Sequence, residues 1–198
     1  MSHLRLASAA ILVLATLLSV PGDSKVPPSK GPERVEVPKD LISFDDGDTI
    51  TIHWKGKPEE IVRILGIDTP EVLHLDHDIP YAQPFGDVAA GFLLGCIAAS
   101  DKVELLRSGQ KDPFKRTLGY VYVDGKNYSV LVIGARLAIE SVSKYGDNGL
   151  PYDAAACLKA AKAAGPVPFE DPGVYRRRMR DVTKWMKANG TYPKAERK

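Results

Sequence analysis

Cysteine is scarce in this chain, which has only two among its 198 residues. Two cysteines are too few for a disulfide scaffold or for a four-cysteine zinc site. Long hydrophobic runs are also scarce, and with only one apolar stretch, at the N-terminus, a protein with several membrane spans is excluded. The fractions of hydrophobic (44%) and charged (26%) residues exclude wholesale disorder and favour a single globular domain.

The apolar stretch follows Arg5 and runs from Leu6 to Gly22. A short positive segment, a compact apolar core and small residues after it predict an export signal over residues 1–22. An uncleaved N-terminal anchor is the alternative, because about 17 apolar residues is the lower limit for crossing a bilayer. We therefore expect an exported protein, periplasmic or secreted, with membrane contact only if this segment is retained.

The rest of the chain divides into three segments of different composition. Residues 23–40 are rich in proline and predict an extended linker, whereas residues 41–170 are expected to form the folded domain. Residues 171–198 predict a basic C-terminal helix and tail. An acidic body with a basic tail suggests an anionic partner.

Five short stretches of the domain have the pattern of β-strands, and the alternation is clearest at Ile50, Ile52 and Trp54. The predicted strands cover residues 41–45, 50–54, 60–67, 102–107 and 117–123. Helices are predicted over residues 85–99, from Ser129 as N-cap to Leu137, over residues 153–164 and from about Val174. This order predicts an α+β fold, namely a five-stranded OB-fold β-barrel with three packed helices and an extra C-terminal helix.

Four segments carry charged residues of interest: Asp46 to Thr49, Arg63, Asp68 to Glu71, and Asp112 to Arg116. Taken singly, each has a structural interpretation, as a turn, a helix start or a surface residue of a strand. Taken together they favour a common site. Asp68 follows the end of the third predicted strand, where the backbone can turn its carboxylate back towards the sheet. The order of the segments therefore predicts two carboxylates and an arginine at one edge of a sheet.

The combination resembles the staphylococcal nuclease (thermonuclease) family from about Leu41 to about Gly165. The strand and turn from Tyr120 to Lys126 continue the resemblance. It implies an SNase-like OB domain and a nuclease that hydrolyses phosphodiester bonds of DNA, RNA or both. A monomer with no obligate protein partner is expected.

The resemblance also implies a role for each site residue. Asp48, Asp68 and the backbone carbonyl of Thr69 match the family's calcium site. Glu71 matches the general base or water-orienting group, and the arginines that hold the scissile phosphate correspond to Arg63 and Arg116.

The chemistry of hydrolysis agrees with these roles. Water attack on a phosphodiester adds negative charge, which a divalent cation and fixed guanidinium groups stabilise more in the transition state than in the ground state. Arginine suits this task better than lysine, because its planar fork binds phosphate with two hydrogen bonds. An all-oxygen ligand set favours Ca²⁺, with Mg²⁺ less expected.

Three features depart from the family pattern. Arg136 stands where the family has a glycine before Leu-Ala, so it is strained if that position needs a positive φ. The loop from Val72 to Pro84 is longer than in compact members and is predicted to be mobile and solvated. The two cysteines, Cys96 and Cys157, form either a disulfide or two buried free thiols.

Two other classes of function compete with a nuclease. A non-catalytic nucleic-acid-binding module of the same family is expected to have lost the acidic and arginine positions, which are all present here. A secreted structural OB domain has no reason to keep this set of residues. The sequence therefore favours an enzyme.

The C-terminal segment predicts an amphipathic helix, with an apolar stripe at Tyr175, Met179, Val182 and Met186. Basic residues recur beside this stripe, at Arg176, Arg180, Lys184 and Lys187. In one interpretation the helix docks through the stripe and its basic face is simply solvated. In the other, the four cations bind nucleic-acid phosphates outside the cleft.

Overall fold

The structure, a computed structural model, describes residues 32–193. The described residues form nine strands: β1 (Arg34–Glu36), β2 (Ile42–Phe44), β3 (Thr49–Ile52), β4 (Glu60–Ile64), β5 (Ile67–Asp68), β6 (Val103–Lys111), β7 (Thr117–Val123), β8 (Lys126–Asn127) and β9 (Ile139–Glu140). They also form five α-helices: α1 (Gly86–Ala99), α2 (Tyr128–Gly134), α3 (Val142–Tyr145), α4 (Pro151–Ala164) and α5 (Pro172–Ala188). Within residues 32–193 no helix has the length and apolar character that a membrane crossing needs. The predicted export signal, residues 1–22, lies outside the described residues.

The main sheet is mixed, with the strand order β1-β6-β7-β4-β3-β2 and with β8 paired to β7. Strands β4 and β7 run parallel, whereas β3 and β4 run antiparallel. The predicted α+β class is therefore confirmed, and each predicted strand has an observed counterpart. Three short strands, β1, β8 and β9, were not predicted.

The folded domain begins earlier than residue 41. Strand β1 pairs with β6, and Val37, which follows it, is only 2% exposed and belongs to the hydrophobic core. The prediction of an extended linker is therefore wrong for residues 34–37. Proline content alone could not show that this segment has a sheet edge to pair with.

The third predicted strand is interrupted at Gly66, where φ is 81°. Strand β4 ends at Ile64, and β5 starts a new two-stranded sheet in which Asp68 pairs with Ile139. A Cβ atom at Gly66 would lie 2.7 Å from the Cys157 sulfur, so the position requires glycine for space as well as for φ. The interruption turns Asp68 back towards β4.

Three predicted helices pack beside the sheet. Helix α1 buries Ala89, Leu93 and Ile97, which are four residues apart and share one face. Helix α4 begins with Pro151, a favoured first residue because its missing N–H would have no helical partner, and buries Ala154 and Cys157. Both cysteines are free thiols, so the disulfide is not formed, but only Cys157 is buried and Cys96 is half-buried.

Helix α2 differs from its prediction at both ends. Its N-cap is Asn127, whose side chain accepts a hydrogen bond from the Ser129 N–H at 2.9 Å, so the prediction of Ser129 as the cap is wrong. The helix ends at Gly134, and Arg136 has a φ of 59°. The Leu137 N–H then donates to the Val132 carbonyl at 3.1 Å, as in a Schellman ending, and this ending explains the positive φ of Arg136.

Helix α5 docks on the loop from Val72 to Pro84 through the predicted apolar stripe. Tyr175, Met179 and Ile79 form a buried cluster, and Val182 packs against it. Ile79 is 2% exposed, so the prediction of a solvated loop is wrong for its centre. The apolar residues of this loop follow neither a helical nor a strand period, so this packing could not be predicted from the sequence.

Candidate active site

The turn before β3 is held from three sides. The Asp46 carboxylate accepts a hydrogen bond from the Asp48 N–H at 2.8 Å, and the buried hydroxyl of Tyr128 donates to the Gly47 carbonyl at 2.8 Å. The Asp48 carbonyl accepts from the Ile64 N–H at 2.8 Å, which ties the turn to the end of β4. Asp48 is therefore a fixed, 5% exposed carboxylate.

Asp48 also joins this turn to the segment after β5. Its Oδ2 atom accepts hydrogen bonds from the Thr69 N–H at 2.9 Å and from the Thr69 hydroxyl at 3.0 Å. Thr69 follows Asp68, which is also 5% exposed. The two candidate ligand segments, far apart in the sequence, thus lie side by side.

Arg63 on β4 lies between the two aspartates. One Nη group contacts Asp48 Oδ1, and the other donates to Asp68 Oδ1 at 3.1 Å and to the Ile67 carbonyl at 3.2 Å. Burial lowers the pKa of Arg63, and the negative charge of Asp68 opposes that shift. The guanidinium is held in one orientation by these partners.

Glu71 is placed through its backbone by Gln83. The Gln83 side chain, 2% exposed as a residue, accepts from the Glu71 N–H at 3.1 Å and donates to the Glu170 carbonyl at 2.6 Å. The Glu71 carbonyl accepts from the Gln83 N–H at 2.8 Å. Burial raises the pKa of Glu71, while the positive charge of Arg176 works against that rise.

Arg176 of α5 reaches the same carboxylates. Its Nη2 donates to Asp68 Oδ2 at 2.8 Å, and its Nη1 donates to Asp68 Oδ1 at 3.1 Å and also to Glu71. The sequence placed Arg176 on a basic face with Arg180, Lys184 and Lys187. In the structure Arg176 bonds to the carboxylates of the site, whereas Lys187 bonds to Asp78.

Arg116 lies just before β7 and is oriented by Asp112. The Asp112 carboxylate accepts from the Arg116 Nε at 2.7 Å and from the Arg116 N–H at 2.9 Å. Burial raises the pKa of Asp46, and the positive charges of Arg63 and, more weakly, Arg116 oppose the rise.

The remaining basic residues of α5 point elsewhere. Lys187 pairs with Asp78 at 2.7 Å, whereas Arg180 and Lys184 are exposed. A nucleic-acid-binding role for these residues stays a prediction.

The donor chemistry of Asp48 and Asp68 fits a hard cation such as Ca²⁺ or Mg²⁺. Both carboxylates are buried and contact one guanidinium, and both belong to segments tied together at Thr69. Residues 32–193 contain no group of three or more His, Cys, Asp or Glu side chains arranged to bind a metal ion. The site therefore offers two carboxylates, and carbonyl groups and water would have to complete the shell.

Sequence reasoning missed Gln83, Tyr128 and the placement of Arg176. The contacts of Gln83 and Tyr128 are with backbone atoms, which no side-chain motif can indicate. Arg176 lies 105 positions from Glu71 along the chain.

Comparison with known proteins matches residues 61–164 to the family model described as "Staphylococcal nuclease homologue". Over 94 residues, 47% of this chain, it is 33% identical to endonuclease YncB of Bacillus subtilis strain 168 and 34% identical to the thermonuclease of Staphylococcus intermedius. It is also 33% identical to the SPbeta prophage-derived endonuclease YokF of B. subtilis strain 168. The chain spans 43%, 53% and 30% of these relatives. Asp48 and α5 lie outside residues 61–164.

Proposed function

The chain belongs to the staphylococcal nuclease family, whose model matches more than half of its residues, and we propose that it is a metal-dependent nuclease. Its substrates would be the phosphodiester bonds of DNA, RNA or both. The observation that carries this proposal is the contact of Arg63 with both Asp48 and Asp68, whose segments are joined by the Asp48–Thr69 hydrogen bonds. Glu71 lies beside Asp68, since Arg176 donates to both carboxylates.

Asp48, Asp68 and the Thr69 carbonyl are the groups that would hold calcium, with magnesium as the second choice. A bound calcium ion would supply positive charge that stabilises the extra negative charge on the reacting phosphate. Because Asp48 is fixed by Thr69 and Asp68 by the pairing of β5 with β9, both carboxylates are in place before a cation binds.

Arg63 and Arg116 would bind the scissile phosphate. Each guanidinium about 4 Å from a unit negative charge has a gross attraction of about 4 kcal/mol at an effective dielectric constant of about 20. Only the increase in this attraction, as negative charge develops on the phosphate in the transition state, accelerates the reaction. Asp48, Asp68 and Asp112 hold the two guanidiniums in place before substrate arrives.

Glu71 would take the proton of the attacking water. Its raised pKa, caused mainly by burial, makes it a stronger base than an exposed glutamate. The bonds of Gln83 to the Glu71 backbone keep this carboxylate beside Asp68.

We also expect that the sheet closes into the five-stranded OB barrel and that the chain is exported. The two end strands of the sheet, β1 and β2, are joined by residues 37–41, which favours closure. The mass of the mature protein tests removal of residues 1–22, and recovery of the intact N-terminus in a membrane fraction would support the anchor instead.

The exposed residues Arg180 and Lys184 are the best candidates on α5 for contacts with nucleic acid outside the cleft. Removing one phosphate contact should reduce the slope of log affinity against log salt by about 0.9 on duplex DNA. The Arg180→Gln and Lys184→Gln double variant tests this, and an unchanged slope would mean that the face is only solvated.

Digestion of single-stranded DNA, duplex DNA and RNA, with calcium, magnesium or EGTA, tests the proposed activity. We expect cleavage with calcium that EGTA abolishes and that Asp68→Asn strongly reduces. Binding of all three polymers without cleavage under every condition would identify a non-catalytic nucleic-acid-binding module.

A further inference from the structure

Helix α5 is fixed beside Glu71 by polar bonds as well as by its apolar stripe. The Thr183 hydroxyl donates to the Asp78 carbonyl at 3.1 Å, and the Tyr175 hydroxyl donates to the Tyr81 carbonyl at 2.9 Å. Both acceptors belong to residues 72–84, the segment that follows Glu71. Both halves of α5 are thus held over this segment.

Arg176 is the residue through which α5 reaches the carboxylates. Its side chain is 31% exposed, whereas that of its partner Asp68 is 7% exposed and that of Glu71 is 18% exposed. Two charge-assisted bonds go to Asp68 and one to Glu71, and bonds of this kind are about twice as strong as neutral ones.

These are the same oxygen atoms that the proposed nuclease needs. Every carboxylate oxygen of Asp68 accepts a bond from Arg176, and Oδ1 accepts one from Arg63 as well. Arg63 leaves Asp68 Oδ2 free, whereas Arg176 occupies it, so a divalent cation that binds this oxygen competes with Arg176 and is repelled by its positive charge.

The charges of the site point to the same competition. Asp48, Asp68 and Glu71 together carry three negative charges, which Arg63 only partly balances. Arg176 supplies the additional positive charge that a cation would otherwise bring. Because Arg176 comes from α5, its withdrawal is coupled to the docking of that helix.

We propose that Arg176 sets the cation affinity of the active site by competing for Asp68 and Glu71. Without a cation, Arg176 occupies both carboxylates and holds the first turns of α5 in place. Cation binding displaces Arg176 and loosens these turns. The proposal rests on the cation site of the proposed function.

Calcium titration by calorimetry of the 198-residue chain tests the competition directly. Arg176→Gln should lower the calcium Kd about tenfold, equivalent to about 1.4 kcal/mol. Arg176→Lys keeps the charge without the planar fork and should lie between Arg176→Gln and the wild type.

The matched control is Arg177→Gln, which removes the same charge from the next, exposed position of α5. It should leave the calcium Kd near the wild-type value, since exposed charges are screened. Equal Kd values for Arg176→Gln and Arg177→Gln would overturn the proposal while leaving the nuclease function intact. If no form binds calcium or magnesium, the proposal and the proposed cation site fail together.

Hydrogen exchange of the wild type gives a second test that needs no variant to fold. Calcium should accelerate amide exchange in residues 173–180, relative to the core helix α1 as an internal reference. Unchanged or slower exchange in the first turns of α5 on calcium addition would contradict the proposal.

Discussion

Gly86, the first residue of α1, packs closely against the backbone of Glu71. A Cβ atom built at Gly86 would lie 2.2 Å from the Glu71 carbonyl oxygen and 2.7 Å from its carbonyl carbon, where 3.0 Å is the practical limit. Both neighbours are backbone atoms that cannot rotate away. Gly86→Ala must therefore displace the Glu71 segment or the start of α1 by roughly 1 Å.

A displacement of this size should affect catalysis more than binding. A shift of about 1 Å in a reacting group can reduce turnover about 100-fold, so we expect kcat of Gly86→Ala to fall between about 10- and 100-fold. Overpacking should also lower the free energy of unfolding by about 1–3 kcal/mol. Steady-state cleavage of a labelled single-stranded DNA at saturating calcium measures kcat, and circular dichroism checks the fold.

The same helix offers two matched controls. Gly91 and Gly95 are exposed positions of α1, and an added Cβ would meet no atom within 4 Å at either. Changing either residue to alanine should raise the free energy of unfolding by about 0.5–1 kcal/mol and leave kcat unchanged. A folded Gly86→Ala protein with wild-type kcat would refute the reasoning that Glu71 depends on this close approach.

Two further changes test the energetics of the fold. Arg107 binds Glu60 through two hydrogen bonds of 2.7 and 2.6 Å and thereby lowers the pKa of Glu60 from 4.5 to about 2. Glu60→Gln should cost about 1–2 kcal/mol of unfolding free energy at pH 7. This cost should shrink as the pH falls from 4.5 towards 2, because the carboxylate of the unfolded wild type is then protonated while the folded one is still ionised. Urea titrations at pH 7 and pH 3 measure the change, and a cost that is the same at both pH values would contradict the expectation. Arg136→Gly should be more stable than Arg136→Ala by about 1 kcal/mol. Both variants lose the hydrogen bond of Arg136 to the Pro166 carbonyl, but only glycine adopts a φ of 59° without strain. Equal midpoints of unfolding in urea would argue against backbone strain at this position.

The meeting of Asp48, Asp68 and Arg63 could be predicted because it depends on local patterns. Asp46 to Asp48 is a turn motif beside an alternating strand, and Asp68 follows the end of an apolar stretch. The strand break at Gly66, which turns Asp68 back, was not predicted. The space for a Cβ atom at Gly66 is taken by Cys157, which is remote in the sequence.

The placement of α5 could be predicted only in part. Periodicity identified its apolar stripe, and Tyr175 and Met179 are indeed buried. Periodicity does not tell where a helix docks, so Arg176 was grouped with Arg180 on one basic face. Its partners, Asp68 and Glu71, come from another part of the chain, and only the tertiary fold brings them into reach.

The turnover of Glu71→Gln tests the central claim of catalysis by this site most directly. The amide has nearly the same shape as the carboxylate but cannot accept the proton of the attacking water. At saturating calcium and single-stranded DNA, we predict that kcat falls by about 100-fold or more in a folded variant. A Glu71→Gln protein that cleaves DNA at the wild-type rate would contradict the claim.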